Sequence, residues 1–382
     1  MSEPAHAGSR VARFADLVTK WVEGEGDTPT SLEVLVSARC NARCRMCNVW
    51  RLPTVRPSLS DDEIPLARLE TLAVEAALMG VRTVQVSGGE PLLRTDIAAI
   101  LSAFKQAGMK VLVFTNGTQL LRPGLIPALV EAGPDYLVTS LDSSIAAKHD
   151  EIRGRAGFWD RTTAGLRALA AERERVGSEV PRVKLMSCVS HDNTPEVFDL
   201  RQMVPELGAE LAIFNPLQNK IPGELDDSLL TEEDLQQIER LGAVMGPADQ
   251  VSFYRKNLCF APYKQMSIDP FGKVYPCCFA QGFLNLNDDL TETFWGEPDR
   301  YALGDITEQS LAEVWNGEPY RRFRRSLHSL PRYGMCAQCN QPPAQPWTRL
   351  QPVFRAIAAG ERLLGVDRPI YRSVISSRAD VR

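Results

Sequence analysis

Short apolar runs alternate with amphipathic stretches between about residues 32 and 216. The runs are rich in β-branched residues, and a segment of helical periodicity separates each run from the next. This pattern predicts six strands, at Leu32–Ser37, Thr83–Ser87, Lys110–Thr115, Tyr136–Leu141, Arg182–Val189 and Glu210–Asn215. It also predicts helices near residues 61–79, 94–107, 122–132, 159–175, 194–206 and 231–246. Repeated βα units indicate an α/β fold with a parallel sheet.

The pattern changes after Pro216, where a segment with two further breakers, Pro222 and Gly223, precedes a helix that begins near Thr231. Residues 259–340 bear cysteines and many turn signals, and the remainder is a proline-rich stretch followed by a basic amphipathic helix. We therefore expect five segments: an N-terminal extension (1–31), an α/β core (32–230), a linker helix (231–258), a small cysteine domain (259–340) and a C-terminal tail with a helix (341–382).

Composition narrows the class of protein. The chain has 382 residues, of which 44% are hydrophobic, and its net charge is −5, which argues against nucleic acid as the main partner. No apolar run has the length of a signal peptide or a membrane span, so we expect a cytoplasmic protein without membrane contact. In that compartment its nine cysteines are expected to be thiols and metal ligands. The basic residues Arg321, Arg322, Arg324 and Arg325 are interpreted as a solvated helix face.

Three cysteines follow the first predicted strand in the run Cys40-Asn-Ala-Arg-Cys44-Arg-Met-Cys47. Three thiolates in one tight loop can hold three irons of a [4Fe–4S] cluster and leave the fourth iron without a protein ligand, open to a reactant. A zinc loop whose fourth ligand lies elsewhere is the alternative that spacing alone leaves open.

Further motifs follow the later strands. Gly88-Gly89-Glu90-Pro91 comes after the second strand, and Thr115-Asn116-Gly117 and Ser140-Leu141-Asp142 end the third and fourth. The run His149-Asp-Glu-Ile-Arg153-Gly154 follows soon after. The carboxyl ends of parallel strands are where the chemistry of such α/β folds gathers, so we expect these motifs to share one site.

Together these motifs resemble the signature of radical S-adenosylmethionine (radical SAM) enzymes. The resemblance implies a partial (β/α)6 TIM-like barrel, open on one side, in which the open iron chelates SAM. Reductive cleavage of SAM then gives a 5′-deoxyadenosyl radical that abstracts hydrogen. By resemblance the SAM contacts are Met46, Gly88, Gly89, Glu90, Pro91, Asn116, Ser140 and Arg153. Asn116 fits a turn role equally well, and His149 is interpreted as a capping or surface residue.

A second cysteine set comprises Cys259, Cys277, Cys336 and Cys339, with a predicted hairpin at Ile268–Tyr275 that carries Cys277 toward the others. Four thiolates suit an auxiliary [4Fe–4S] cluster or a zinc ribbon. The spacing resembles the opening of the SPASM extension and stops short of its full pattern. It is similar to the shorter "twitch" form, a hairpin plus helix, which implies one auxiliary cluster beside the SAM-binding cluster.

Two further cysteines lie outside these sets. Cys278 directly follows Cys277, where the resemblance makes it a candidate catalytic residue that returns a hydrogen atom to a substrate radical. A spare, packed cysteine is the alternative. Cys188, in the fifth strand, is interpreted as a small buried hydrophobe.

The resemblance extends to enzymes that oxidise or epimerise sugars and aminocyclitols in antibiotic pathways, and to peptide maturases. Only about 30 residues precede the first strand, which is short for a leader-binding domain, so a small polar substrate is expected. Modification of a ribosomal peptide or protein side chain, and a non-catalytic iron–sulfur or zinc-binding protein, are the alternatives. An external electron donor such as flavodoxin or ferredoxin is implied. Expected position alone suggests substrate contacts at Asn215, Gln218, Tyr254 and Arg255.

Overall fold

The structure is a computed structural model. It describes residues 23–26, 28–47, 49–51, 63–217, 226–231, 233–234, 236–237, 250–251, 261–277 and 301–326. Within these ranges, no helix combines the length and the apolar character that crossing a membrane requires.

All six predicted strands are present. They are β1 (Ser31–Ser37), β2 (Thr83–Gly88), β3 (Lys110–Thr115), β4 (Tyr136–Ser140), β5 (Arg182–Val189) and β6 (Ala209–Pro216). Each pairs in parallel with the next. Among the described strands the sheet does not close on itself, because further strands pair with β1 and β6 at its two sides. The predicted partial barrel is therefore confirmed.

Six helices pack around these strands: α1 (Leu66–Leu78), α2 (Ile97–Gln106), α3 (Leu125–Ala132), α4 (Ala146–Arg153), α5 (Phe158–Val176) and α6 (Val197–Glu206). Except for α4, their apolar faces meet the buried strands in one core. Helix α4 was not predicted, because His149 is its only buried residue and leaves no apolar stripe to recognise. Of the predicted helix at 231–246, residues 231, 233–234 and 236–237 are described; Thr231 is not helical, and the other four are.

The C-terminal part contributes β7 (Gln250–Val251), α7 (Ala261–Lys264), β8 (Gln265–Ile268), β9 (Lys273–Tyr275), β10 (Gly304–Asp305), α8 (Leu311–Asn316) and α9 (Glu318–Ser326). The predicted hairpin is confirmed, since β8 and β9 pair antiparallel. Strand β8 also pairs in parallel with β1, which the sequence did not predict. The hairpin that precedes Cys277 is thus part of the same sheet as the barrel strand that precedes Cys40.

The interpretation of the basic run as a solvated face is wrong for Arg324. Its side chain is fully buried, and its guanidinium lies 4.0 Å from the ring centre of Trp315 and 4.4 Å from that of Tyr320. Arg324 Nε donates to the carbonyl of Pro262 at 2.9 Å. The planar guanidinium combines ring stacking with backbone donation, which makes burial of this cation tolerable. Arg322, by contrast, is exposed as expected.

Candidate active site

The cluster loop, residues 38–47, leaves the carboxyl end of β1 and carries the first three cysteines. Cys44 is buried, while Cys40 and Cys47 are half-buried. All three pack with Ala42, Met46 and Phe158 in a small apolar cluster separate from the main core. The three thiols thus lie in one loop beside the strand ends, as the sequence predicted.

The thiols of Cys40 and Cys44 are strongly biased toward their protonated form. Burial raises the pKa of Cys44 to about 11, although the nearby cation of Arg153 opposes part of this increase. Burial also raises the pKa of Cys40, and the neighbouring thiols add to the increase. Clustered, desolvated thiols need nearby positive charge to ionise, which iron supplies when it binds. The donor set therefore fits a metal centre.

Three thiolates can hold a [4Fe–4S] cluster through three of its four irons, whereas a structural zinc site needs a fourth protein ligand as well.

The end of β2 approaches the cluster loop more closely than side chains permit. Gly89 donates to the carbonyl of Ser37 at 2.6 Å, and Glu90 donates to that of Arg39 at 2.7 Å. A Cβ atom on Gly88 would lie 2.4 Å from the Ser37 oxygen, and one on Gly89 would lie 2.3 Å from the Arg39 oxygen. Both glycines are thus needed for contact with the loop itself.

The end of helix α4 holds the other side of the loop. Arg43 donates its backbone N–H to the carbonyl of Arg153 at 2.9 Å, and Arg45 donates to that of Ile152 at 3.1 Å. Gly154 has a left-handed backbone with φ of 66°, and a Cβ there would lie 2.3 Å from the Arg43 oxygen. The loop is therefore fixed from both sides by backbone contacts.

Glu90 is fully buried, and both of its carboxylate oxygens accept hydrogen bonds from the protein. The donors are Leu92 N at 3.0 Å, Thr115 Oγ1 at 2.6 Å and Asn116 N at 2.7 Å. Burial raises the pKa of Glu90, and these donors oppose the increase. The carboxylate joins the ends of β2 and β3, and its expected contact with the amino group of SAM stays a prediction.

Asn116 belongs to a closed ring of three side chains. Its Nδ2 donates to Asn41 Oδ1 at 2.8 Å, Asn41 Nδ2 donates to Thr118 Oγ1 at 2.8 Å, and Thr118 Oγ1 donates to Asn116 Oδ1 at 2.7 Å. Each group donates and accepts once, an arrangement in which hydrogen bonds strengthen one another. Asn41 lies between Cys40 and Cys44, so the ring ties the cluster loop to the end of β3.

Glu63 fixes the start of the loop. Its Oε1 accepts from Ser37 Oγ at 2.7 Å and from Ala38 N at 3.0 Å. Its Oε2 pairs with the guanidinium of Arg39 at 3.1 Å. Nothing in the sequence marked Glu63, because it follows Asp61 and Asp62 in an acidic run that resembles any other group of surface carboxylates.

Arg153 occupies a buried position beside Cys44. Its Nε lies 2.5 Å from Asp142 Oδ2, and its Nη1 donates to Cys44 Sγ at 3.7 Å. His149 is buried, so its interpretation as a capping or surface residue is wrong. Burial, together with Arg153, lowers the pKa of His149 to about 4, and the neutral ring accepts a hydrogen bond from Asp142 N.

An open cavity adjoins the cluster loop. Met46, Ile152, Cys188 and Leu217 are among its lining residues. The interpretation of Cys188 as a buried hydrophobe is wrong, since its side chain is half-buried and faces this cavity. Met46 lies between the cavity and the thiols, which is compatible with the predicted apolar contact to adenine.

The remaining predicted residues are placed as follows. Pro91 and Ser140 are buried at the ends of β2 and β4. Cys277 is half-buried two residues after β9, and Asn215 lies beside Cys188 in the pairing of β5 with β6. Outside the described residues lie Cys259, Cys278, Cys336, Cys339, Gln218, Tyr254 and Arg255.

Two nearby glycines offer a matched test of the loop contacts. Gly154→Ala and Gly157→Ala both place a side chain in a left-handed backbone, which costs about 1–2 kcal/mol. Only the first also collides with the cluster loop, since nothing lies within 4 Å of a Cβ on Gly157. We expect Gly154→Ala to lower the iron content of the anaerobically purified protein severalfold and Gly157→Ala to retain it. Equal iron content in both variants would contradict the role assigned to the close contact.

Two family models match the chain. The radical SAM superfamily model matches residues 34–181, and the SPASM model, an iron–sulfur cluster-binding domain, matches residues 259–340. Pre-heme d1 synthase of Dinoroseobacter shibae is 23% identical over 383 residues, covering 90% of this chain and 91% of that protein. AdoMet-dependent heme synthase of Methanosarcina barkeri is 32% identical over 179 residues, 46% of this chain. The latter alignment likewise spans 46% of that synthase, less than half its length.

Solved structures share the fold. The crystal structure of Streptococcus suis SuiB bound to its precursor peptide SuiA has a TM-score of 0.63 and 17% sequence identity, over 89% of this chain and 77% of that one. Since both halves of the predicted architecture are matched, the chain belongs to the radical SAM superfamily: it is an enzyme whose radical SAM domain binds SAM and a [4Fe–4S] cluster and whose SPASM domain binds auxiliary iron–sulfur clusters.

Proposed function

We propose that Cys40, Cys44 and Cys47 hold the SAM-binding cluster, and that the enzyme acts on a small polar molecule. Once bound, the cluster and SAM supply a 5′-deoxyadenosyl radical. The radical abstracts hydrogen from a carbon that bears a hydroxyl or an amine, as in a sugar or an aminocyclitol. Epimerisation or two-electron oxidation completes the reaction.

The observation that carries this proposal is the fixed position of the cluster loop beside an open cavity. Backbone contacts from Gly89 and Ile152 hold the loop, and the apolar surroundings of Cys44 exclude water from its thiol. Met46 separates the thiols from the cavity and offers a polarizable surface to an aromatic base. A reactant in the cavity would thus meet the cluster edge without displacing the loop.

Four polar side chains in the otherwise mainly apolar lining of the cavity support a small polar substrate. Arg45 and Asp192 face each other across its rim at 3.9 Å, and Ser190 and Ser228 add hydroxyl groups. Such groups can orient hydroxyl or amine substituents by hydrogen bonds. The two relatives named above are called heme synthases, and a heme is also a small molecule rather than a protein.

A ribosomal peptide is the competing substrate, supported by the fold shared with SuiB in its peptide complex. We expect deuterium from a carbinol or amine-bearing carbon of a labelled sugar or aminocyclitol to appear in 5′-deoxyadenosine, measured by mass spectrometry. Peptides labelled at their α-carbons serve as the comparison. Transfer from peptides alone would contradict the small-molecule proposal and favour a maturase.

The cluster assignment has its own test, which needs no substrate. After anaerobic reconstitution we expect about eight irons and eight sulfides per chain, which corresponds to two [4Fe–4S] clusters. Cys44→Ala should reduce both numbers to about four and abolish formation of 5′-deoxyadenosine from SAM and dithionite. Cys188→Ala, which changes a half-buried cysteine outside the cluster loop, should retain all eight irons. Bound zinc without sulfide in the wild type would refute the assignment.

The fate of the substrate radical depends on whether a thiol returns a hydrogen atom. We propose Cys278 for this role, and the cavity position of Cys188 makes it the natural comparison. With an identified substrate in deuterated water, Cys278→Ala should lose the epimer and accumulate oxidised product, while Cys188→Ala should retain the epimer. Unchanged deuterium incorporation in Cys278→Ala would exclude this residue as the donor.

A further inference from the structure

Arg153 connects a buried acid to a proposed cluster ligand. Its Nε pairs with Asp142 Oδ2 at 2.5 Å, while its Nη1 donates to Cys44 Sγ at 3.7 Å. Asp142 is fully buried, and only 12% of the Arg153 side chain is exposed. A cation held this far from water, with one branch directed at a sulfur, acts on the charge of that sulfur.

We propose that Arg153 donates a charge-assisted hydrogen bond to the Cys44 thiolate and so makes the SAM-binding cluster easier to reduce. The inference rests on the proposed assignment of Cys44 as a cluster ligand. It goes beyond that assignment, since it names a residue that sets the reduction potential before SAM binds.

The electron balance gives the direction of the effect. In the step concerned, [4Fe–4S]²⁺ takes up one electron from an external low-potential donor and becomes [4Fe–4S]⁺. The added negative charge spreads over the cluster and its thiolates. Hydrogen bonds to the sulfurs, net charge and solvent exposure set the potential of such a cluster. A guanidinium in surroundings of low dielectric therefore stabilises the reduced state.

The position of Arg153 is fixed by contacts that do not depend on a ligand. Its carbonyl accepts from Arg43 N, so the helix end and the cluster loop move together. Asp142 is held in turn, because its Oδ1 accepts from Cys188 N at 2.9 Å. The planar guanidinium reaches the acid and the sulfur at once, which a lysine ammonium at the end of a flexible chain does not do with the same geometry.

This role differs from the one that family resemblance gives Arg153, contact with the carboxylate of SAM. Contact with SAM would affect the affinity for SAM and leave the potential of the SAM-free cluster unchanged. Contact with Cys44 would change that potential in the absence of SAM. The two roles are therefore separable by measurement.

The test is a redox titration of the reconstituted holoenzyme without SAM, followed by electron paramagnetic resonance. The relevant signal is the one whose spectrum changes when SAM is added afterwards, which distinguishes it from the auxiliary cluster. Arg153→Gln is expected to disfavour reduction about tenfold, a fall in midpoint potential of about 59 mV for one electron. Arg155→Gln is the matched control, since it removes the same charge from an exposed position two residues away.

Equal midpoint potentials for Arg153→Gln, Arg155→Gln and the wild type would overturn the proposal. This includes the case in which Arg153→Gln binds SAM more weakly but keeps the wild-type potential. If Arg153→Gln fails to fold because Asp142 loses its partner, Arg153→Lys replaces it in the test, since lysine keeps the positive charge but not the geometry of the guanidinium. We expect Arg153→Lys to disfavour reduction about threefold, and an unchanged potential would refute the proposal. Failure of the underlying assignment is recognised separately: the wild type would then show no signal that responds to SAM.

Discussion

The site depends on close backbone contact between the cluster loop and the chain on both sides of it. Gly88 and Gly89 bring the end of β2 against Ser37–Arg39, and Gly154 brings the end of α4 against Arg43. Hydrogen bonds formed at such short range leave no space for side chains. The backbone thus fixes the path of the loop, and its three thiols can stay close together although they are desolvated and gain nothing from one another without a metal.

Hydrogen bonds between buried polar side chains also hold the cluster loop in place. Glu90 joins β2 to β3, and the ring of Asn41, Asn116 and Thr118 joins β3 to the cluster loop. Burying these groups is tolerable because each has a partner, and an unpaired one would cost about 1–3 kcal/mol. The described contacts of Glu90 and Asn116 are therefore structural, whatever contact either makes with SAM. A motif residue can therefore stabilise the structure of a site as well as bind its ligand.

The sequence predicted the six strands within one or two residues, because buried parallel strands give continuous apolar runs between clear turn signals. It also predicted which loops meet, since the carboxyl ends of parallel strands lie together. It missed α4, whose polar surface carries no periodicity, and the pairing of β8 with β1, which joins residues more than two hundred positions apart. The burial of Arg324 depends likewise on partners that only the folded chain supplies.

The C-terminal end of helix α4 brings an unfavourable partial charge to the cluster loop, and Arg153 offsets that charge. Its last carbonyls, on Ile152 and Arg153, accept hydrogen bonds from the cluster loop, so the helix must end against the thiols. A helix carries partial negative charge at its C-terminus, and this opposes an added electron nearby. The Arg153 cation at the same helix end offsets that field. The segment 152–154 therefore fixes the loop through its backbone. It also compensates, through the Arg153 side chain, the partial negative charge that the helix end places near the loop.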